Sequence, residues 1–159
     1  MAEISPGWIL LGGFLLVTQW RRINSFLANL RSTESPSSTQ YTAGHLKQAD
    51  PETFERLVAQ AWEEKGYSTA LTQAGADDGV DVIANTEDET VMIQAKRYLN
   101  GNKVSSPVVR EAVGAAQQMN ADRAVIATSS DFTGPAYKAA ANTDVDLQNG
   151  DDVAARLSD

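Results

Sequence analysis

The apolar positions of this chain change their period several times, and each change marks an element. After Asp50, the residues Phe54, Leu57, Val58, Ala61 and Trp62 recur at i, i+3, i+4, i+7 and i+8, the single apolar stripe of a helix. Asp50 and Pro51 open that helix, one capping free N–H groups and the other needing none, and Gly66 ends it. Residues 67–73 predict a first strand, with Ala70 and Leu71 for the core. Residues 79–84 and 91–97 then read as two strands joined by the polar turn 85–89, a hairpin. Ser106 and Pro107 open a second long helix, with Val109, Ala112, Val113, Ala116 and Met119 on one face. Its small residues, Ala112, Gly114, Ala115 and Ala116, permit close packing on a sheet. The continuous apolar run at 124–128 predicts a central parallel strand covered on both faces. A helix from Gly134 through Ala141, a short strand at Val145 and Leu147, and a closing helix over 151–157 complete the chain.

The first part of the chain follows another rule. Ile4 to Trp20 is a run of 17 residues without a charge, ending at Arg21 and Arg22. A membrane-spanning helix needs about 20 apolar residues, with about 17 at the short limit. Trp8 and Trp20 bracket the run like interfacial anchors, and the paired arginines favour the cytoplasmic side. Residues 1–22 are therefore expected to be a membrane anchor holding the rest of the chain in the cytoplasm; a buried or partner-facing helix is the alternative. Glu3 and the lack of an A-x-A-like site disfavour a signal peptide. Residues 23–48 read as a polar linker, since the Ser/Thr-rich stretch 31–45 cannot bury enough surface to order itself. The domain proper is expected at 49–159.

Composition removes several chemistries. With no cysteine, neither disulfides nor a Cys-ligated zinc is available, and the lone histidine, His45, reads as a solvated linker residue. The net charge of −8 is unusual for a nucleic-acid enzyme, so any DNA contact must come from a local basic patch. Five lysines against eight arginines, under an acidic excess, also suit a high-salt cytoplasm and a halophilic source.

Candidate chemistry lies in the hairpin. Alternation puts Val80 and Val82 on one face, Asp81 and Ile83 on the other, and Gln94 together with Lys96. A hairpin thus brings together Asp81, Gln94 and Lys96, and a Lys among Ile93, Ala95 and Tyr98 is costly to bury without a partner or a task. The bland alternatives are a turn aspartate and an edge-strand lysine that blocks aggregation. The turn before Asp81, with Asp77 and Asp78, lacks the ligand spacing of a calcium loop.

The blocks DPETFERLVAQAWEEKGY, DDGVDVIA, VMIQAKRY, NKVSSPVVREAVG and ADRAVIATSSDFT, in that order from Asp50, resemble the Mrr-type restriction endonuclease domain of the PD-(D/E)xK nuclease superfamily. The resemblance implies an α/β fold with an α-β-β-β-α-β core and a mixed central sheet. It implies Mg²⁺- or Mn²⁺-dependent cleavage of DNA, with catalytic roles for Glu55, Asp81, Gln94 and Lys96. Asp81 and Gln94 would be the metal ligands; Asp77 and Asp78 read as turn formers rather than ligands, with help in holding a second metal the alternative for Asp78. Gln94 stands where the superfamily usually has Asp or Glu and agrees with the QxK form of the Mrr type. Glu55 also suits the positive end of its helix, an alternative that needs no site. Arg97, Lys103 and Arg110 are the expected DNA-backbone contacts, Arg110 being equally compatible with a solvated surface. The hydroxyls of Thr128, Ser129 and Ser130 suit either a phosphate or a local cap. A nuclease cutting both strands often works as a homodimer, although no coiled-coil heptads announce one. The rival readings are a membrane-anchored DNA-binding or interaction module that kept the fold without catalysis, and a structural membrane protein with an acidic head.

Overall fold

In the computed structural model, which describes residues 40–72, 79–99 and 101–158, the elements follow the order the periodicity predicts. Helices α1 (Ala43–Gln48) and α2 (Pro51–Glu63) precede strands β1 (Ser68–Leu71), β2 (Val82–Asn85), β3 (Thr90–Lys96) and β4 (Lys103–Val104). Helix α3 (Ser106–Met119), strands β5 (Arg123–Thr128) and β6 (Asp131–Phe132), helix α4 (Gly134–Ala140), strand β7 (Val145–Gln148) and helix α5 (Gly150–Arg156) follow. Asp50 caps α2 by accepting from the Thr53 N–H at 2.9 Å.

The main sheet has the order β1-β2-β3-β5-β7 and is mixed: β1, β2 and β3 are antiparallel neighbours, whereas β3, β5 and β7 run parallel. Helix α3 carries the chain from β3 to its parallel neighbour, as such a crossover requires. Lys96 at the end of β3 stands opposite Thr128 at the end of β5. On one face Leu46, Phe54, Val58, Trp62, Val82, Ile93, Val125 and Val153 form one apolar cluster. On the other, Met92, Val104, Val109, Ala112, Ile126, Phe132 and Ala136 form a second under α3 and α4. Burying each large apolar side chain contributes about 1.5–3 kcal/mol, so both helical layers are held chiefly by these stripes.

Two expectations need correction, and a third choice is decided. Ala70 and Leu71 are exposed, Leu71 at 48%, because β1 is an edge strand of the main sheet. The polar linker stops short of residue 48: Thr42 accepts from the His45 N–H, α1 forms, and Leu46 is fully buried against α2 and α5. One leucine docked on a ready-made cluster suffices where no local apolar period exists. His45 is exposed, as expected, but on that helix. The Thr128 and Ser129 hydroxyls are buried and meet no open site: they donate to the carbonyls of Lys96 and Tyr98 at 2.7 and 3.1 Å. No helix among the described residues is long and apolar enough to cross a membrane, and the expected anchor at 4–20 lies outside them.

Candidate active site at the end of the hairpin

Gln94 and Lys96 stand on the α3 side of β3, where Gln94 is only 3% exposed. They line an open cleft of about 480 Å³ with Gly79, Arg110, Glu111, Gly114, Ala115 and Gln118. The side-chain oxygen of Gln94 is buried and has no hydrogen-bond partner among the described residues. A buried orphan acceptor of this kind costs on the order of 1–3 kcal/mol unless something fills its place.

Asp81 is held differently from the simple alternation. Its N–H donates to the Ile93 carbonyl at 3.0 Å, although Ile93 is also the register partner of Val82. Two residues thus face one, a bulge, and the faces switch: Val80 packs in the α3-side cluster and Val82 in the α2-side cluster. The expectation that Val80 and Val82 share a face is corrected by this bulge. Its consequence is that Oδ2 of Asp81 accepts the Ala95 N–H at 2.7 Å, between Gln94 and Lys96 in sequence. The carboxylate is thereby fixed against β3 by a main-chain donor, whatever the side chains around it do.

Electrostatics bring in Glu55 from α2. Burial pushes the Asp81 carboxyl up, against the opposing pull of the Ala95 N–H and the Lys96 charge. Burial also raises Glu55, and the charges of Asp81 and Glu52 add to it while Arg56 and Lys96 oppose. Lys96 is therefore common to both groupings: it shares the cleft with Gln94 and the field of the two acids. Two half-buried carboxyls kept above their ordinary range beside a lysine are the pattern of a working site rather than of a structural ion pair.

Among the described residues no group of three or more His, Cys, Asp or Glu gathers to hold a metal ion. The donors fit a hard cation that keeps much of its water: one carboxylate, one neutral amide oxygen without a partner, and main-chain carbonyls. They do not fit zinc.

A family profile described as restriction endonuclease, the Mrr catalytic domain, matches residues 46–157, well over half of the 159-residue chain. The chain belongs to the Mrr-type restriction endonuclease family. Among solved structures, a protein of unknown function, AF1548, aligns with a TM-score of 0.56 and 19% identity over 63% of this chain and 58% of its own. The MspJI restriction endonuclease in complex with a 27-mer oligonucleotide aligns with a TM-score of 0.51 and 21% identity, over 79% of this chain and 34% of its own. At these identities the likeness is one of fold, and the chain spans 58% and 34% of those two proteins. No curated protein matches it.

In this Mrr-type domain the three expected DNA contacts separate. Arg110 is exposed and lines the cleft beside Lys96. Lys103, on β4, holds Asp131 across the small parallel sheet at 2.6 Å. Arg97 is half-buried outside the cleft lining, and its Nε has no partner among the described residues. Asp78 lies outside the described residues. Gly79, Gly114 and Gln118 are cleft residues that the sequence reading passed over. Arg110, Gly114 and Gln118 follow at i, i+4 and i+8, so placing Arg110 on the site would have exposed the other two.

Proposed function

We propose that this Mrr-type domain is a Mg²⁺-dependent endonuclease that hydrolyses phosphodiester bonds of DNA. The observation that carries the reading is the buried, unpartnered Gln94 oxygen next to Lys96 in a cleft open to solvent. Asp81, the Gln94 oxygen and a main-chain carbonyl at Ala95 would hold the ion, with Mn²⁺ a substitute. Bound there, a divalent cation supplies a water of lowered pKa and neutralises charge on the scissile phosphate. Lys96 orients the attacking water and stabilises the charge that develops on the phosphoryl oxygens. Glu55 takes part from the α2 side through a water, its carboxyl raised above its ordinary range by burial and by the Asp81 charge. Arg110 contacts the DNA backbone at the cleft wall, which positions the duplex without reading its sequence.

The same proposal extends to the cell: residues 4–20 anchor the chain in a membrane, the nuclease domain faces the cytoplasm, and the enzyme acts in restriction or defence against foreign DNA, as a homodimer when it cuts both strands. The test is plasmid cleavage with Mg²⁺, with EDTA and with Lys96→Ala. Cleavage that needs both the metal and Lys96 supports the reading. Intact plasmid under every condition, from protein shown to be folded, ends it and leaves a DNA-binding module.

A further inference from the structure

Gln94 is a neutral ligand on a flexible side chain, and something must hold its amide still. Among the described residues no hydrogen bond holds its oxygen. The neighbour that does define its place is Gly79. That residue has φ +85°, a left-handed conformation that favours glycine, and lies in the chain just ahead of the bulge at Asp81. A Cβ at Gly79 would overlap Nε2 of Gln94 and come within 3.6 Å of its Cδ, and among the described residues beyond its chain neighbours it would come within 4 Å of no other side chain or backbone. The missing methyl is therefore a slot, and the Gln94 carboxamide fills it. With Gln94 only 3% exposed, an amide expelled from this slot has no solvent-facing position to adopt without leaving the cleft wall.

We propose that Gly79 is a positioning residue for the metal-binding amide: its bare Cα seats the Gln94 carboxamide so that the side-chain oxygen faces the cation. This inference rests on the metal-dependent reading above. It also accounts for the glycine at the end of the turn, where the left-handed backbone alone would accept asparagine as well. A methyl at Gly79 acts on the site through Gln94, the contact it makes among the described residues.

The test is a double-mutant cycle on the full-length protein, with Gly79→Ala, Gln94→Ala and both together. Mn²⁺ binding is read from the loss of the free aquo-ion signal in electron paramagnetic resonance, and folding from thermal unfolding in EDTA. Gly79→Ala is expected to weaken Mn²⁺ binding about ten- to a hundredfold, the usual cost of losing the group that orients a ligand. In the Gln94→Ala background the same substitution should change Mn²⁺ binding less than about twofold, because there is no amide left to displace. Backbone strain shifts the unfolding temperature equally in both backgrounds, so it cannot imitate this result. Unchanged binding in Gly79→Ala, or an equal loss in both backgrounds, overturns the proposal. Wild-type protein that binds no Mn²⁺ overturns the metal reading and the proposal with it, and is told apart by the first titration. Should Gly79→Ala not fold, Gly79→Asn carries a Cβ on a residue type that tolerates the left-handed backbone, and the same outcomes apply.

Discussion

The two ends of strand β3 treat charge in opposite ways. At its start, Glu89 accepts from Tyr67 at 2.6 Å and from Arg123, Arg123 also reaches Asp146 at 2.6 Å, and its guanidinium lies 5.2 Å over the ring of Trp62. Bonding to Arg123 holds the Glu89 carboxyl below its ordinary range. At its finish, Asp81 and Glu55 are both raised by burial, Gln94 keeps an orphan oxygen, and Lys96 has no ion-pair partner among the described residues. One end is arranged for stability and the other is not, although both are partly buried and joined by the same seven residues. Structure alone gives no motive for the second arrangement, and proteins tolerate such conflicts mainly at functional sites.

The largest expected effect is on that second end. Lys96→Ala should lower Mg²⁺-dependent cleavage by about a thousandfold, the scale of losing one transition-state donor, while the unfolding temperature moves by only a few degrees. Cleavage within tenfold of wild type would erase the functional half of the contrast. The mirror experiment is Arg123→Ala, which strands Glu89 and Asp146 and uncovers Trp62. It should cost about 2 kcal/mol in denaturant unfolding, with cleavage per folded molecule unchanged. A loss below about 0.5 kcal/mol would show that the first end is not stabilising.

The pH dependence of stability in EDTA sharpens the contrast, because the two ends have opposite signs. Glu89 has a folded pKa below its ordinary value of 4.5, so its contribution is present above that pH and is lost as pH falls through the folded value. Asp81 has a folded pKa above its ordinary value of 3.8, so the stability of its protonated form is complete below that pH and is lost as pH rises through the folded value. Glu89→Gln should therefore be destabilising at neutral pH, with the gap to wild type closing on acidification. Asp81→Asn should be more stable than wild type by about 1 kcal/mol at neutral pH, closing in the same direction, and inactive. An Asp81→Asn protein less stable than wild type at pH 7 would contradict the account of a carboxylate kept at a cost. The smallest effect is expected at the sheet edge: Leu71→Ser, at a position 48% exposed, should change stability by less than about 0.5 kcal/mol.

Local pattern determined a good deal of this protein. The helical stripe from Phe54 to Trp62, the small-residue face of α3, the buried run of β5 and the alternation that puts Gln94 and Lys96 on one face of β3 each report a period that a chain segment carries by itself. The matching order of blocks carried the family. Tertiary structure decided the rest, wherever the outcome depended on what arrives from elsewhere in the chain. Ala70 and Leu71 have strand-like neighbours but lie on the sheet edge, Leu46 has no period but a cluster to enter, and Lys103 looked available until β6 brought Asp131 beside it. The bulge at Asp81 belongs to the same class: an extra residue shows only against the partner strand, and it turns the carboxylate onto the Ala95 N–H and breaks the alternation that first singled it out. Period is a property of one segment, whereas coverage, pairing and register exist only between two.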